Sequence, residues 1–167
     1  MKRRDFVVGA GATLSLFPAG LQGVERERGP GGLERRALGK TGEKLSIVGF
    51  GGIVVTKATT EQASARVRAA IEAGVNYFDV APSYGNAEEM LGPALEPYRK
   101  GVFLACKTQG RTREAATQEL ESSLRKMRTD HFDLYQHHAV TSQKDVKTIL
   151  GPGGAMEAFE AARKAGK

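Results

Sequence analysis

A chain of 167 residues, 40% apolar and 26% charged, has the balance of one soluble globular domain, and that mix argues against a disordered chain. Its net charge of +6 is spread over segments where bases alternate with acids, and no recognition motif accompanies it, so nucleic-acid binding is not expected. The single cysteine, Cys106, excludes an internal disulfide and any multi-cysteine metal site, and within the apolar run Val102 to Cys106 it reads as buried strand filler.

The first segment opens with Lys2, Arg3 and Arg4 and continues through a mildly apolar run from Phe6 to Leu21, interrupted by Gly9, Gly11 and Gly20. That run is too short and too glycine-rich to span a bilayer comfortably. Arg3-Arg4-Asp5-Phe6-Val7 resembles a twin-arginine export signal, an address that carries folded proteins across a membrane. The expectation is an exported, periplasmic protein, or a membrane-anchored one if the segment is retained, since no clear Ala-x-Ala site marks a cut. A rival reading makes Phe6-Val-Val-Gly-Ala-Gly a strand entering a dinucleotide loop, but the third glycine is missing and Pro18 interrupts the helix that should follow. Residues 22–32, rich in charge and glycine, read as a linker outside the fold.

From residue 33 the pattern is regular. Leu33 to Leu38 and Glu43 to Val48 flank the turn Gly39-Lys-Thr-Gly42 and form a hairpin. Leu45 to Gly52 is expected to run on as a strand into a glycine-rich end where backbone can approach a ligand. Thr59-x-x-Gln62 is a capping box, and Ala63, Val67, Ala70 and Ile71 make an apolar stripe before Gly74 closes the helix. Strand Tyr77 to Asp79 precedes helix Ala87 to Leu95, for which Asn86 is the expected cap and Glu89 the N3 residue. Strand Val102 to Lys107 precedes helix Arg113 to Met127, and strand Phe132 to His138 is followed, after a loop containing Gly151-Pro-Gly-Gly154, by helix Ala155 to Ala165. Apolar strands alternating with helices predict an α/β fold of parallel βαβ units.

The strands end in ionisable residues: Asp79 with Tyr84 beyond it, Lys107, and His137-His138. Each has an ordinary explanation as a turn former, a solvent-seeking cation, a packing ring or a satisfied imidazole. In a parallel sheet, however, all these ends meet at one rim, and titratable groups gathered in one place are what active sites collect. Periodicity does not choose between His137 and His138.

Leu38-Gly-Lys-Thr-Gly42, Val48-Gly-Phe-Gly-Gly52, Gly74-Val-Asn-Tyr-Phe-Asp-Val-Ala-Pro-Ser-Tyr-Gly85, the Lys107 strand and Asp133-Leu-Tyr-Gln-His-His138 together resemble the aldo/keto reductase family over residues 33 to 167. The resemblance implies a (β/α)8 barrel that reduces aldehydes and ketones with NADPH, usually without metal. It implies that Asp79, Tyr84, Lys107 and His138 are the catalytic tetrad; the family's histidine lies five residues after the aspartate of its Asp-Leu-Tyr segment, which selects His138. Gly51, Gly52 and Asp79 are the implied cofactor-binding residues, and a small-molecule carbonyl compound is the implied partner.

The residue types suit that chemistry. Hydride addition to a carbonyl leaves a developing alkoxide that needs a proton donor in a dry site. A free phenol ionises only near pH ~10, so a donor tyrosine is helped by a neighbouring ammonium, and an aspartate keeps that ammonium charged and in place. The stretch from residue 33 to residue 167 is shorter than the roughly 200 residues or more of a closed barrel. The expectation is therefore the first four βα units, active as part of a longer protein; the alternative is an inactive half-barrel that self-associates or is a remnant.

Overall fold

A computed structural model describes residues 27–167; the export segment read in residues 1–21 lies outside them. Residues 27–32, expected as the end of a linker, hydrogen-bond back onto the chain, with the Arg35 amide donating to the Glu27 carbonyl at 2.8 Å and the Gly29 amide to that of Leu33 at 2.9 Å. Strands β1 (Arg35–Ala37) and β2 (Lys44–Ser46) then form the expected antiparallel hairpin. The single strand expected over Leu45–Gly52 is instead two. The Ser46 amide is taken by Asn76 Oδ1 at 2.7 Å and the Ser46 hydroxyl donates to the Val48 carbonyl, turning the chain so that β3 (Phe50–Gly51) joins a different sheet.

That second sheet has β3, β4 (Tyr77–Asp79), β5 (Phe103–Thr108) and β6 (Leu134–His137) side by side in sequence order, every pair parallel. Helices α1 (Thr60–Glu72), α2 (Ala87–Leu95) and α3 (Arg113–Met127) make the crossovers. These are the first units of a (β/α)8 barrel, present as an open four-stranded parallel sheet. Among the described residues, no helix is long and apolar enough to cross a membrane.

Local signals explain most boundaries. The capping box of α1 forms in full, with Thr59 and Gln62 bonding each other's backbone reciprocally. Gly74 ends this helix at φ 95°, a left-handed conformation, with the Pro30 carbonyl so near that an added Cβ would lie 1.9 Å from it. Asn86 does not cap α2, contrary to expectation: its Oδ1 accepts from the Lys57 amide at 2.9 Å, tying together the loops that follow β3 and β4. After β6 the chain forms α4 (Gln143–Leu150) where a loop was expected, then α5 (Ala155–Lys164). Ser142 starts α4 by accepting from the Asp145 amide at 3.0 Å.

Register divides the sheet into two chemically distinct faces. Phe78 lies opposite Leu104, Cys106 opposite Tyr135 and Thr108 opposite His137, so these six side chains share the face that α1 to α3 and α5 cover. Phe78, Leu104, Cys106 and Thr108 have no exposure, and Val67, Leu91 and Leu124 pack into the same core. Cys106 is accordingly strand filler, its thiol pushed up to about 12 by burial and by the charge of Glu88. Gly92 sets the spacing of α2 and α3, since an added Cβ would sit 2.2 Å from the Lys126 carbonyl oxygen and 2.8 Å from Met127 Cα. Gly92→Ala gains about 1 kcal/mol of helix propensity. A clash with fixed backbone costs about 1–3 kcal/mol, so a net loss of stability is expected, read as a lower urea midpoint. A midpoint at or above wild type would mean that the helices part without penalty.

Candidate active site

On the opposite face, Gly51 pairs with Asp79, Asp79 with Ala105, and Lys107 with Gln136. Because side chains alternate along a strand, Lys107 shares the face of Ala105, and His138 shares that of Gln136. Three residues far apart in sequence therefore emerge on one side of the sheet at the C-terminal ends of β4, β5 and β6. The His138 amide extends the ladder by donating to the Thr108 carbonyl at 2.9 Å.

The side chains meet. Lys107 Nζ is hydrogen-bonded to Asp79 Oδ1 and lies 3.3 Å from the Val80 carbonyl. This ion pair is mostly enclosed, with 13% and 22% of the Lys107 and Asp79 side chains exposed, so water screens it less than a surface pair. The same ammonium stands 5.3 Å from the centroid of the Tyr84 ring, close enough for a cation–π contact. Tyr84 meets His138 edge to face, with centroids 5.8 Å apart and planes at 87°. The backbone of Tyr84 is held by Thr56, whose hydroxyl donates to its carbonyl at 2.9 Å. Ser83 Oγ lies 3.1 Å from His138 Nδ1.

All four expected residues are thus gathered, and the two histidines lie on opposite faces of the sheet. His138 stands beside Tyr84, whereas His137 points to the helix-covered face and stacks on Phe159 at 4.1 Å. Burial first, and the Arg111 cation second, hold the His137 imidazole below the ordinary value of 6.5. Below pH 6.5 the unfolded chain therefore takes up a proton that the folded chain resists, and stability falls with acidification. His137→Leu is expected to flatten that part of the stability–pH curve, checked by melts between pH 5 and 7; an unaltered slope would contradict it.

Tyr77 lies on the face of Asp79, two residues earlier, but burial and then the charge of Asp79 push its phenol upward. Tyr77 is therefore held protonated. The implied cofactor glycines differ from each other. An added Cβ at Gly52 would lie 2.9 Å from the Asp79 carbonyl oxygen, so packing alone requires glycine there. One at Gly51 would meet nothing within 4 Å, and the pairing with Asp79 directs it to the face of the tetrad. A concavity of about 1020 Å³, lined in part by Arg99, Val102, Arg128 and Asp133, sits at the other end of the strands and contains none of the four.

Two contacts were not legible beforehand. Ser83 reaches His138 across 55 residues, and Arg111 donates to the His138 carbonyl at 2.7 Å across 27. Neither separation leaves a local pattern; the only sequence signal is the polarity of loops that follow strands bearing candidate residues.

The class of protein follows from the sequence match: the chain belongs to the aldo/keto reductase family, whose model matches residues 48–167. Among individual relatives, it is 36% identical to L-galactose dehydrogenase of Arabidopsis thaliana over 124 residues, 65% of this chain and 39% of that protein. It is 34% identical to the aldo-keto reductase YhdN of Bacillus subtilis over 125 residues, 64% of this chain and 38% of that one. The structure of aldo-keto reductase AKR11C1 from Bacillus halodurans superposes with a TM-score of 0.62 at 28% identity, covering 80% of this chain and 44% of that chain. The chain thus spans about two fifths of the length of these curated relatives.

Proposed function

We propose that this chain supplies the proton-transfer residues of an NADPH-dependent oxidoreductase that reduces aldehydes or ketones to alcohols, active in a form where the barrel is complete. The observation that carries the reading is the Asp79–Lys107 ion pair placed beneath the Tyr84 ring. NADPH, when bound, supplies a hydride to the carbonyl carbon. Gly51, Gly52 and Asp79 are the residues of this chain that would hold its nicotinamide end. The missing side chain at Gly51 leaves open space on the tetrad face for a flat ring, which fits the group.

In this reading Tyr84 donates its proton to the carbonyl oxygen as negative charge develops there. Lys107 stabilises the charge left on the phenol oxygen, and Asp79 keeps the ammonium pointing at Tyr84. With the Ser83 hydroxyl donating to Nδ1, the His138 proton resides on Nε2, which then donates to the carbonyl oxygen and orients it. Export as a folded protein belongs to the same proposal and is supported by the Arg3-Arg4 segment alone.

Fluorescence titration with NADPH, followed by NADPH oxidation with simple aldehydes, tests the reading on the full-length protein. Saturable binding and carbonyl-dependent oxidation support it; failure of both removes the reductase assignment.

A further inference from the structure

Just past His138 the backbone does something costly. Ala139 adopts φ 50°, left-handed and unfavourable for a residue with a Cβ. It lies in the connection between β6 and α4, immediately after an imidazole whose orientation matters for the proposed chemistry. A backbone outlier at such a place persists only if its surroundings enforce it.

The enforcing group is Arg111, in the loop between β5 and α3. Its Nη2 donates to two successive carbonyl oxygens, those of His138 at 2.7 Å and Ala139 at 3.0 Å. Two adjacent carbonyls directed at one nitrogen repel each other, and a cation between them offsets that repulsion. Arg111 is itself braced: its Nε lies 3.4 Å from Asp145 Oδ1 in the first turn of α4, and its own carbonyl accepts from the Ala155 amide at 3.0 Å. The pair is largely enclosed, with 20% of the Arg111 and 29% of the Asp145 side chain exposed. Arg111 Nη1 is buried. A further titratable neighbour is His137, its imidazole held below the ordinary value by burial and then by the guanidinium.

His138 is thus gripped at both ends of its backbone, by the Thr108 carbonyl at its amide and by Arg111 at its carbonyl. We propose that Arg111, braced by Asp145, is a positioning residue that holds the strained His138–Ala139 peptide so that the His138 ring stays edge-on to Tyr84. The proposal rests on the reductase reading for its functional meaning, but its geometry stands apart from it. Without the guanidinium, φ of Ala139 relaxes and the His138 carbonyl turns, which carries the ring away from Ser83 and Tyr84. Glycine at 139 adopts the left-handed conformation without penalty, so it removes the strain that Arg111 opposes.

Three variants of the full-length protein decide it: Arg111→Met, Ala139→Gly and the two combined. The readouts are the ¹⁵N resonances of the His138 ring and the hydrogen exchange of the His138 amide, with the Leu104 amide as a core reference. In Arg111→Met, the Nδ1 resonance is expected to move and the His138 amide to exchange at least tenfold faster while Leu104 holds; the combined variant recovers part of both effects. In a wild type that reduces carbonyls, kcat/KM falls at least tenfold in Arg111→Met and partly recovers in the combined variant. Wild-type resonances and exchange in Arg111→Met overturn the proposal, as does exchange that accelerates equally at Leu104, which marks a merely structural role. A wild type without turnover defeats the reductase reading and leaves the resonance and exchange results to judge Arg111.

Discussion

Tyr84→Phe is expected to lower carbonyl reduction by about 10²–10⁴-fold, the usual contribution of a positioned general acid. The substitution removes one oxygen and retains the ring, and the ring makes the contacts that hold this part of the rim together. Lys107 Nζ lies 5.3 Å from its centroid and the His138 ring meets it at 87°. The Thr56 bond is to the Tyr84 carbonyl and survives any side-chain change. Melting behaviour should therefore stay near wild type while turnover collapses, a combination visible by pairing a thermal melt with the rate of NADPH oxidation. Activity within tenfold of wild type would remove Tyr84 as the proton donor.

Lys107→Met acts on both activity and stability. On the proposed mechanism the phenol loses the cation that stabilises its developing charge, a type of loss expected to cost about 10²–10³-fold in rate. The fold loses as well, because Asp79 is left as a largely enclosed carboxylate, 22% exposed, without its ion-pair partner. An unsatisfied group of that kind costs about 1–3 kcal/mol. Adding Asp79→Asn separates the two effects, since the neutral amide needs no cation. The double variant should regain stability in denaturant melts yet stay inactive. If Lys107→Met turns over like wild type, the ammonium has no part in proton transfer; if the double variant is no more stable, the stranded charge was not the cause of the loss.

Much of the architecture was legible because burial leaves a plain record. Strands covered on one face by helices and flanked by neighbours read as apolar runs, as in Phe103 to Cys106, and helices such as α1 and α3 carry apolar residues at helical spacing. Helix α4 carries Val146, Ile149 and Leu150 at helical spacing, but the segment is short and only Ile149 is buried, so the stripe was passed over; Ser142 and Asp145 were a further signal. Asn86 misled for a related reason. Residue type proposes a local bond, but its oxygen was claimed by Lys57, 29 residues away. The rim residues could be named from their positions at strand ends and from family resemblance. Which histidine faced the rim depended on register against β5, a property of two strands that neither reveals alone.

That register carries a consequence for how the protein tolerates change in length. Along β5, Cys106 faces the helices and Lys107 faces the rim, one residue apart. A single deletion or insertion within the strand would exchange them, driving an ammonium into the apolar layer and leaving a thiol beside Asp79. Packing and chemistry would fail together, so neither could drift while the other was repaired. Changes in length are expected to be tolerated in the connections, such as the turn around Lys40, whereas the strands should behave as reading frames in which only substitution is permitted.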